Sequence, residues 1–169
     1  MKPAILISAS LLMMTVSSSA LATRCSVDDM EIIGQKAWIT AKELGVTYRA
    51  RIDTGATRTS LHATHINVVD GVEDWESNIG KQVMFNTENE LGDTQHHQGK
   101  IVAVRSIQNS LGSENRYNVE MTFDHDGFSR TVEVNLRDRS RMSDKLLIGR
   151  DWLSCQYLVD VNQDPTSES

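Results

Sequence analysis

The run Ala50-Arg51-Ile52-Asp53-Thr54-Gly55-Ala56-Thr57-Arg58-Thr59-Ser60-Leu61 carries an apolar strand into a turn at a carboxylate. The glycine two residues after Asp53 lets backbone approach that carboxylate closely. Thr54 and Ser60 bring hydroxyls that can fix neighbouring carbonyls and the carboxylate itself. An aspartate held in this way can serve as a general base toward water. The tripeptide Asp-Thr-Gly alone is also a common β-turn string, in which the aspartate bonds only its own backbone. About ninety residues downstream stands Leu146-Leu147-Ile148-Gly149-Arg150-Asp151-Trp152-Leu153, an apolar run followed by Gly, Arg and Asp.

Histidines provide the other candidate chemistry. His62 and His65, the pair His96-His97 with Asp93 nearby, and His125 between Asp124 and Asp126 are residue types that bind zinc in sets of three or four. No clear helix aligns His62 with His65, however, and adjacent residues of an extended strand point to opposite faces. No metal and no cofactor are therefore expected, and His62 is expected to be a site-supporting residue close to Asp53 in sequence. There is no G-x-x-x-x-G-K-[ST] phosphate loop and no H-E-x-x-H, so nothing points to ATP or to a helical zinc-protease site.

Arg137, Arg139, Arg141 and Arg150 cluster late in an acidic chain. They read either as forked donors for a substrate carboxylate or as solvated strand-edge charges with one ion pair to Asp138 or Asp151. The acidic stretch 67–80 reads as a surface loop or as a cover over the site. Within it, Trp75 is a plausible substrate contact, while Trp38 and Trp152 read as packing residues.

The elements that must position these residues have the period of strands. Val46–Ile52, Ile101–Ile107, Tyr117–Phe123 and Phe128–Leu136 alternate apolar with polar residues. Asp126-Gly127 marks a hairpin turn, and Asn109–Asn115 reads as the loop of the preceding hairpin. Leu146–Ile148 suits a short buried strand, Asp151–Cys155 one helical turn, and Tyr157–Val161 a closing strand. Many short strands with polar turns give an all-β sandwich or barrel.

Residues 1–22 are expected to be a secretory signal peptide: Lys2, an apolar run from Ala4 to Val16, and Ala20-Leu21-Ala22 as a cleavage pattern. The expected domain then covers 23–161, with a disordered tail over 162–169, a periplasmic location and no membrane span after cleavage. Lys2 is the only charged side chain lost, so the formal charge moves from −6 to −7. An acidic chain without a basic run does not suit nucleic acid. Cys25 and Cys155 form a disulfide in an oxidising compartment, or remain as two thiols.

The two motifs together resemble the retropepsins, in which D-T-G-A is followed late in the chain by an apolar pair, Gly, Arg, and Asn or Asp. The resemblance tightens to the retropepsin-like aspartic peptidase family of the RimB type, often labelled an ATP-dependent zinc protease. It rests on Ile32-Ile33-Gly34-Gln35-Lys36-Ala37-Trp38, Ile52–Ala56 with Ser60-Leu61-His62-Ala63, Arg116–Val119, Leu136–Arg139 with Met142, Leu147–Arg150 and Leu158–Asp160. The resemblance implies a closed acid-protease β-barrel with one short C-terminal helix. It implies Asp53 as the catalytic carboxylate, supported by Thr54, Gly55, Ala56, Ser60, Gly149 and Arg150. Its second acid would come from a homodimer, or from Asp138 or Asp151 of this chain. Retropepsins commonly place Asp two residues after the motif glycine, as partner of that arginine, and here the position is Thr57. The preferred function is an exported aspartic endopeptidase acting on a peptide or protein. A non-catalytic peptide-binding or regulatory module and a histidine-dependent metallohydrolase are the alternatives.

Overall fold

A computed structural model describes residues 25–109 and 112–164. The expected signal peptide, and Pro165–Ser169 of the expected tail, lie outside the described residues. Twelve strands and one short α-helix make up these residues. In chain order the strands are β1 (Glu31–Gly34), β2 (Lys36–Ala41), β3 (Val46–Ile52), β4 (Thr59–His62), β5 (Thr64–Val68), β6 (Gln82–Glu88), β7 (Thr94–Lys100), β8 (Ala103–Asn109), β9 (Gly112–His125), β10 (Phe128–Arg137), β11 (Leu146–Ile148) and β12 (Tyr157–Asp160). The helix, α1, spans Arg150–Leu153.

The largest sheet has the order β10-β4-β11-β3-β2-β9-β8, and β9 also pairs with β10. Its interior follows from side-chain alternation. Val46, Tyr48, Ala50 and Ile52 of β3 turn inward, as do Ala37, Ile39 and Ala41 of β2 and Val119, Met121 and Phe123 of β9. Each fully buried large apolar side chain contributes roughly 1.5–3 kcal/mol. Trp152 of α1 closes one end of this core, stacked on Tyr157 with ring centroids 5.0 Å apart. Asp126 and Gly127 both adopt positive φ, 49° and 88°, as a two-residue hairpin turn of matching twist requires.

The chain path around the motif matters most for function. β11 lies between β3, to which it is parallel, and β4, to which it is antiparallel. The strand entering the Asp53 turn and the strand leaving it are thus both hydrogen-bonded to the Leu146–Ile148 run.

The periodicity missed one hairpin. β6 and β7 pair from Gln82↔Lys100 to Glu88↔Thr94, with β5 on the other edge of β6. β7 reads Thr-Gln-His-His-Gln-Gly-Lys, without apolar alternation, and is a strand because its backbone pairs. The stretch 67–80 opens in β5 and includes a 3-10 turn at Glu76–Asn78. β9 begins at Gly112, inside the expected loop, with Asn109 paired to Gly112.

β1 and β12 form a separate two-stranded parallel sheet. Just before these strands, Cys25 and Cys155 are disulfide-bonded, with Cα atoms 5.1 Å apart. The bridge spans a sequence separation of 130, so in the chain-entropy picture it contributes at most about 5 kcal/mol. A Cys25→Ser, Cys155→Ser double variant is expected to unfold at clearly lower urea concentration than the oxidised parent. Equal midpoints would show that the bridge adds nothing.

Candidate active site at the Asp53 turn

Asp53 follows β3 directly, and its own N–H donates to the Ile148 carbonyl at 3.0 Å. Beyond it the chain turns back on its side chain. The N–H groups of Gly55 and Ala56 both donate to Asp53 Oδ1, at 2.9 and 3.1 Å. A side-chain Cβ on Gly55 would sit 3.1 Å from that same oxygen, so any larger residue would press on the carboxylate. One carboxylate oxygen is therefore pinned by backbone, and the side chain is half-buried at the edge of a cavity.

The turn is braced from behind by the second motif. Asp151 accepts from Thr59 twice, N–H to Oδ2 at 3.0 Å and hydroxyl to Oδ1 at 2.9 Å. Gly149 N–H donates to the same Thr59 hydroxyl at 3.2 Å. Gly149 lies so close to the turn that an added Cβ would fall 2.6 Å from the Arg58 carbonyl carbon. Arg150 reaches over the outside: Nη1 donates to the Thr54 and Gly55 carbonyls, and Nη2 to the Thr57 hydroxyl at 3.0 Å. Thr57, in place of the acid that retropepsins usually carry there, thus still receives the arginine.

Ser60 serves this brace from another side. Its hydroxyl donates to Asn135 Oδ1 at 2.8 Å, while Asn135 Nδ2 donates to the Thr59 carbonyl and Arg116 Nη1 donates to Asn135 Oδ1. Ser60 therefore fixes the outgoing strand, with no bond to the Asp53 carboxylate. Asn135 escaped the sequence reading, although a buried amide between Val134 and Leu136 in an apolar strand is a detectable signal.

His62 is buried at the end of β4 and does not line the cavity beside Asp53, accepting at Nδ1 from the Arg139 N–H at 2.9 Å. Burial pushes its pKa below the usual imidazole value, nearby Lys145 adds to this, and Asp138 opposes it. The other histidines go elsewhere: His125 bonds the Trp38 carbonyl, and His65 and His96 flank Asn86. Among the described residues no group of three His, Cys, Asp or Glu side chains is placed to hold a metal ion.

A cavity of about 470 Å³ is lined by Asp53, Thr54, Gln35, Lys36, Arg51, Asp144, Val159 and Val161 among others. Asp144 is its second carboxylate, and the sequence reading did not single it out. Burial disfavours its charge, yet bonds from Lys36 at 2.8 Å and Ser143 at 3.0 Å outweigh this and hold its carboxyl below the usual range. Neither sequence candidate for a second acid lines this cavity. Asp151 is occupied by Thr59, and Asp138 accepts from Ser140 and borders a different cavity. That second cavity, about 380 Å³, is lined by Arg116, Arg137, Glu114, His65, Trp75 and Tyr117 among others. Trp75 stacks on Tyr117 with centroids 4.5 Å apart. Of the four late arginines, Arg137 lines this space, Arg139 is buried against the Asp144 carbonyl, and Arg150 holds the turn.

The model of one protein family, described as "Retropepsin-like aspartic endopeptidase RimB", matches residues 32–168. A protein of Shewanella pealeana named "Probable alpha-L-glutamate ligase" is 32% identical over 140 residues, covering 80% of this chain and 30% of that protein. One of the same name from Desulfotalea psychrophila is 28% identical over 134 residues, covering 77% and 28%. The chain thus spans about 30% of the length of these curated relatives. A solved structure of Legionella pneumophila protein Lpg0085, a protein described as of unknown function, aligns with a TM-score of 0.62 at 26% identity. That alignment covers 78% of this chain and 94% of the other.

Two outcomes test the geometry. Gly149→Ala is expected to lose about 1–3 kcal/mol, because its methyl meets backbone that cannot yield cheaply; an unchanged urea midpoint would place the Arg58 carbonyl elsewhere. His62 binds its proton less readily folded than unfolded, so the unfolded chain takes up more protons as pH falls below about 6.5. Stability should accordingly fall across that range and level off below the folded pKa. His62→Gln should flatten the decline, and identical pH dependence in parent and variant would remove His62 as its source.

Proposed function

The chain belongs to the RimB-like family of retropepsin-like aspartic endopeptidases, and from that premise we propose that it hydrolyses peptide bonds through a water activated by Asp53 and a second carboxylate. The observation that carries the reading is the fixed Asp53 oxygen, held by two backbone N–H groups at the edge of a cavity. Such donors orient a carboxylate without supplying a competing acid or base. In this mechanism the ionised carboxylate takes a proton from water as the oxygen attacks the peptide carbonyl. The protonated partner polarises that carbonyl, and the amine leaves with a proton when the C–N bond breaks. Two carboxyls close together share one proton because both cannot ionise.

The second acid comes from a second copy of the chain in this reading. Asp144 shares the cavity but is already paired with Lys36, whereas two-fold symmetry would bring another Asp53. The proposal includes a closed barrel, supported by the pairing of β9 back onto β10. It also includes export to an oxidising compartment, supported by the bonded cysteines. The substrate is proposed to be an acidic peptide. Support comes from the relatives' names, which refer to alpha-L-glutamate ligation, and from Arg116 and Arg137, which line the second cavity beside Glu114.

A second reading has its own observation. The curated relatives are named as ligases rather than peptidases, which suits a non-catalytic peptide-binding module on the same scaffold. Asp53→Asn separates the two, since asparagine keeps the shape but cannot accept or share the proton. The variant should lose all cleavage of glutamate-containing peptides at acidic pH, remain folded, and still bind them. Activity of the parent should persist in EDTA and without ATP. Undiminished cleavage by Asp53→Asn would remove the aspartic mechanism, and peptide binding without cleavage by the parent would favour the module.

A further inference from the structure

His62 holds both ends of one loop. Its main-chain N–H donates to the Lys145 carbonyl at 2.8 Å, and its ring Nδ1 accepts the Arg139 N–H at 2.9 Å. The loop 139–145 is thereby closed across the end of β4. Inside it, Arg139 Nε donates to the Asp144 carbonyl at 3.0 Å. From outside, Glu90 accepts the Lys145 N–H at 2.6 Å and Lys36 binds the Asp144 carboxylate. The same loop carries Ser143 and Asp144 to the wall of the Asp53 cavity.

A ring nitrogen that accepts a main-chain N–H carries no proton, so neutral His62 has its proton on Nε2. A second proton has to go to Nδ1, the nitrogen that the Arg139 N–H already occupies. Asp138 Oδ1 lies 3.9 Å from that nitrogen. Asp138 is mostly exposed and bonds the neighbouring Ser140 N–H and hydroxyl, so a rotation of its side chain brings it within reach of an Nδ1–H. The charges around the ring pull both ways. Asp138 and Glu88 of β6 favour its proton, Lys145 and Arg139 oppose it, and burial opposes it most.

We propose that His62 is a positioning residue of the Asp53 site that exchanges partners with pH. Neutral, it clasps the Arg139 N–H and keeps the loop 139–145 in place. Protonated, it releases that N–H, bonds the Asp138 carboxylate and frees the Asp144 side of the cavity wall. The proton comes from solvent and stays on Nδ1. The effect on cleavage rests on the peptidase reading, whereas the exchange of partners does not.

The test follows the oxidised, 15N-labelled full chain by NMR from about pH 8 to about pH 4.5, the range in which imidazoles titrate. At the upper end the His62 ring should show the Nε2–H tautomer. As pH falls, the Arg139 amide and the His62 ring nitrogens should change with one midpoint, and the amides of 143–145 should follow. Asp138→Asn removes a carboxylate that attracts the proton, so this midpoint should move to lower pH. In His62→Asn the amide oxygen stands where Nδ1 stood and does not titrate, so the Arg139 amide should keep its high-pH position throughout. Should that variant fail to fold, the parent and Asp138→Asn carry the test by themselves. An Nδ1–H tautomer at neutral pH, an Arg139 amide indifferent to the ring's titration, or an unmoved midpoint in Asp138→Asn would overturn the proposal. In cleavage assays of the parent, KM should rise through the same midpoint by a larger factor than kcat changes; a KM indifferent to it would overturn the link to the cavity. A parent that shows the NMR transition but cleaves nothing would sink the peptidase reading and spare the exchange. Cleavage that Asp53→Asn abolishes, with no transition at Arg139, would do the reverse.

Discussion

Thr59 gives both its N–H and its hydroxyl to the carboxylate of Asp151, and Thr59 is fully buried. Hydrogen bonds to a charged group in such a place are worth roughly 1.5–3 kcal/mol each. Their position matters more than their sum. Thr59 begins the strand that leaves the Asp53 turn, and Asp151 lies in the first turn of the helix that follows the late apolar run. The same Thr59 oxygen receives the Gly149 N–H. One residue thus joins the outgoing strand, the bracing strand and the helix cap. Without the acid, two buried donors would be left unpaired next to the turn that orients Asp53.

Around that junction the polar side chains are arranged as supports rather than reagents. Asn135 binds Thr59, Ser60 and Arg116 at once, and Arg150 covers the carbonyls of Thr54 and Gly55. Lys36 and Asp144 neutralise each other at the cavity wall. The Asp53 carboxylate, by contrast with Asp144 and Asp151, is bonded by backbone N–H groups alone. A carboxylate bonded only by fixed donors keeps its orientation without being committed to a counter-ion.

The family relationship and the relatives' names bear on different parts of the question. The chain matches about 30% of the length of the relatives named as probable alpha-L-glutamate ligases. The names describe the whole proteins. The Legionella structure covers nearly the same span as a chain of its own.

The sequence by itself determined that strands dominate and that Asp53 ends one of them. Alternation and a Gly-bearing turn are local properties, so they survive in a linear string. It also gave the Asp126-Gly127 hairpin and the choice of Cys25 and Cys155 as partners, since no other cysteine competes. The β6–β7 hairpin was hidden, because β7 is a polar segment made a strand by its neighbour's backbone. The direction of each polar side chain was hidden too: Ser60 turned to Asn135, Asp151 to Thr59, and Asp144 into the cavity beside Asp53. These pairings join residues 75 to 92 positions apart in the first two cases. Only the folded packing of β4, β10, β11 and α1 brings such groups within hydrogen-bonding distance, so tertiary structure alone decided which acids brace the turn and which one faces the cavity.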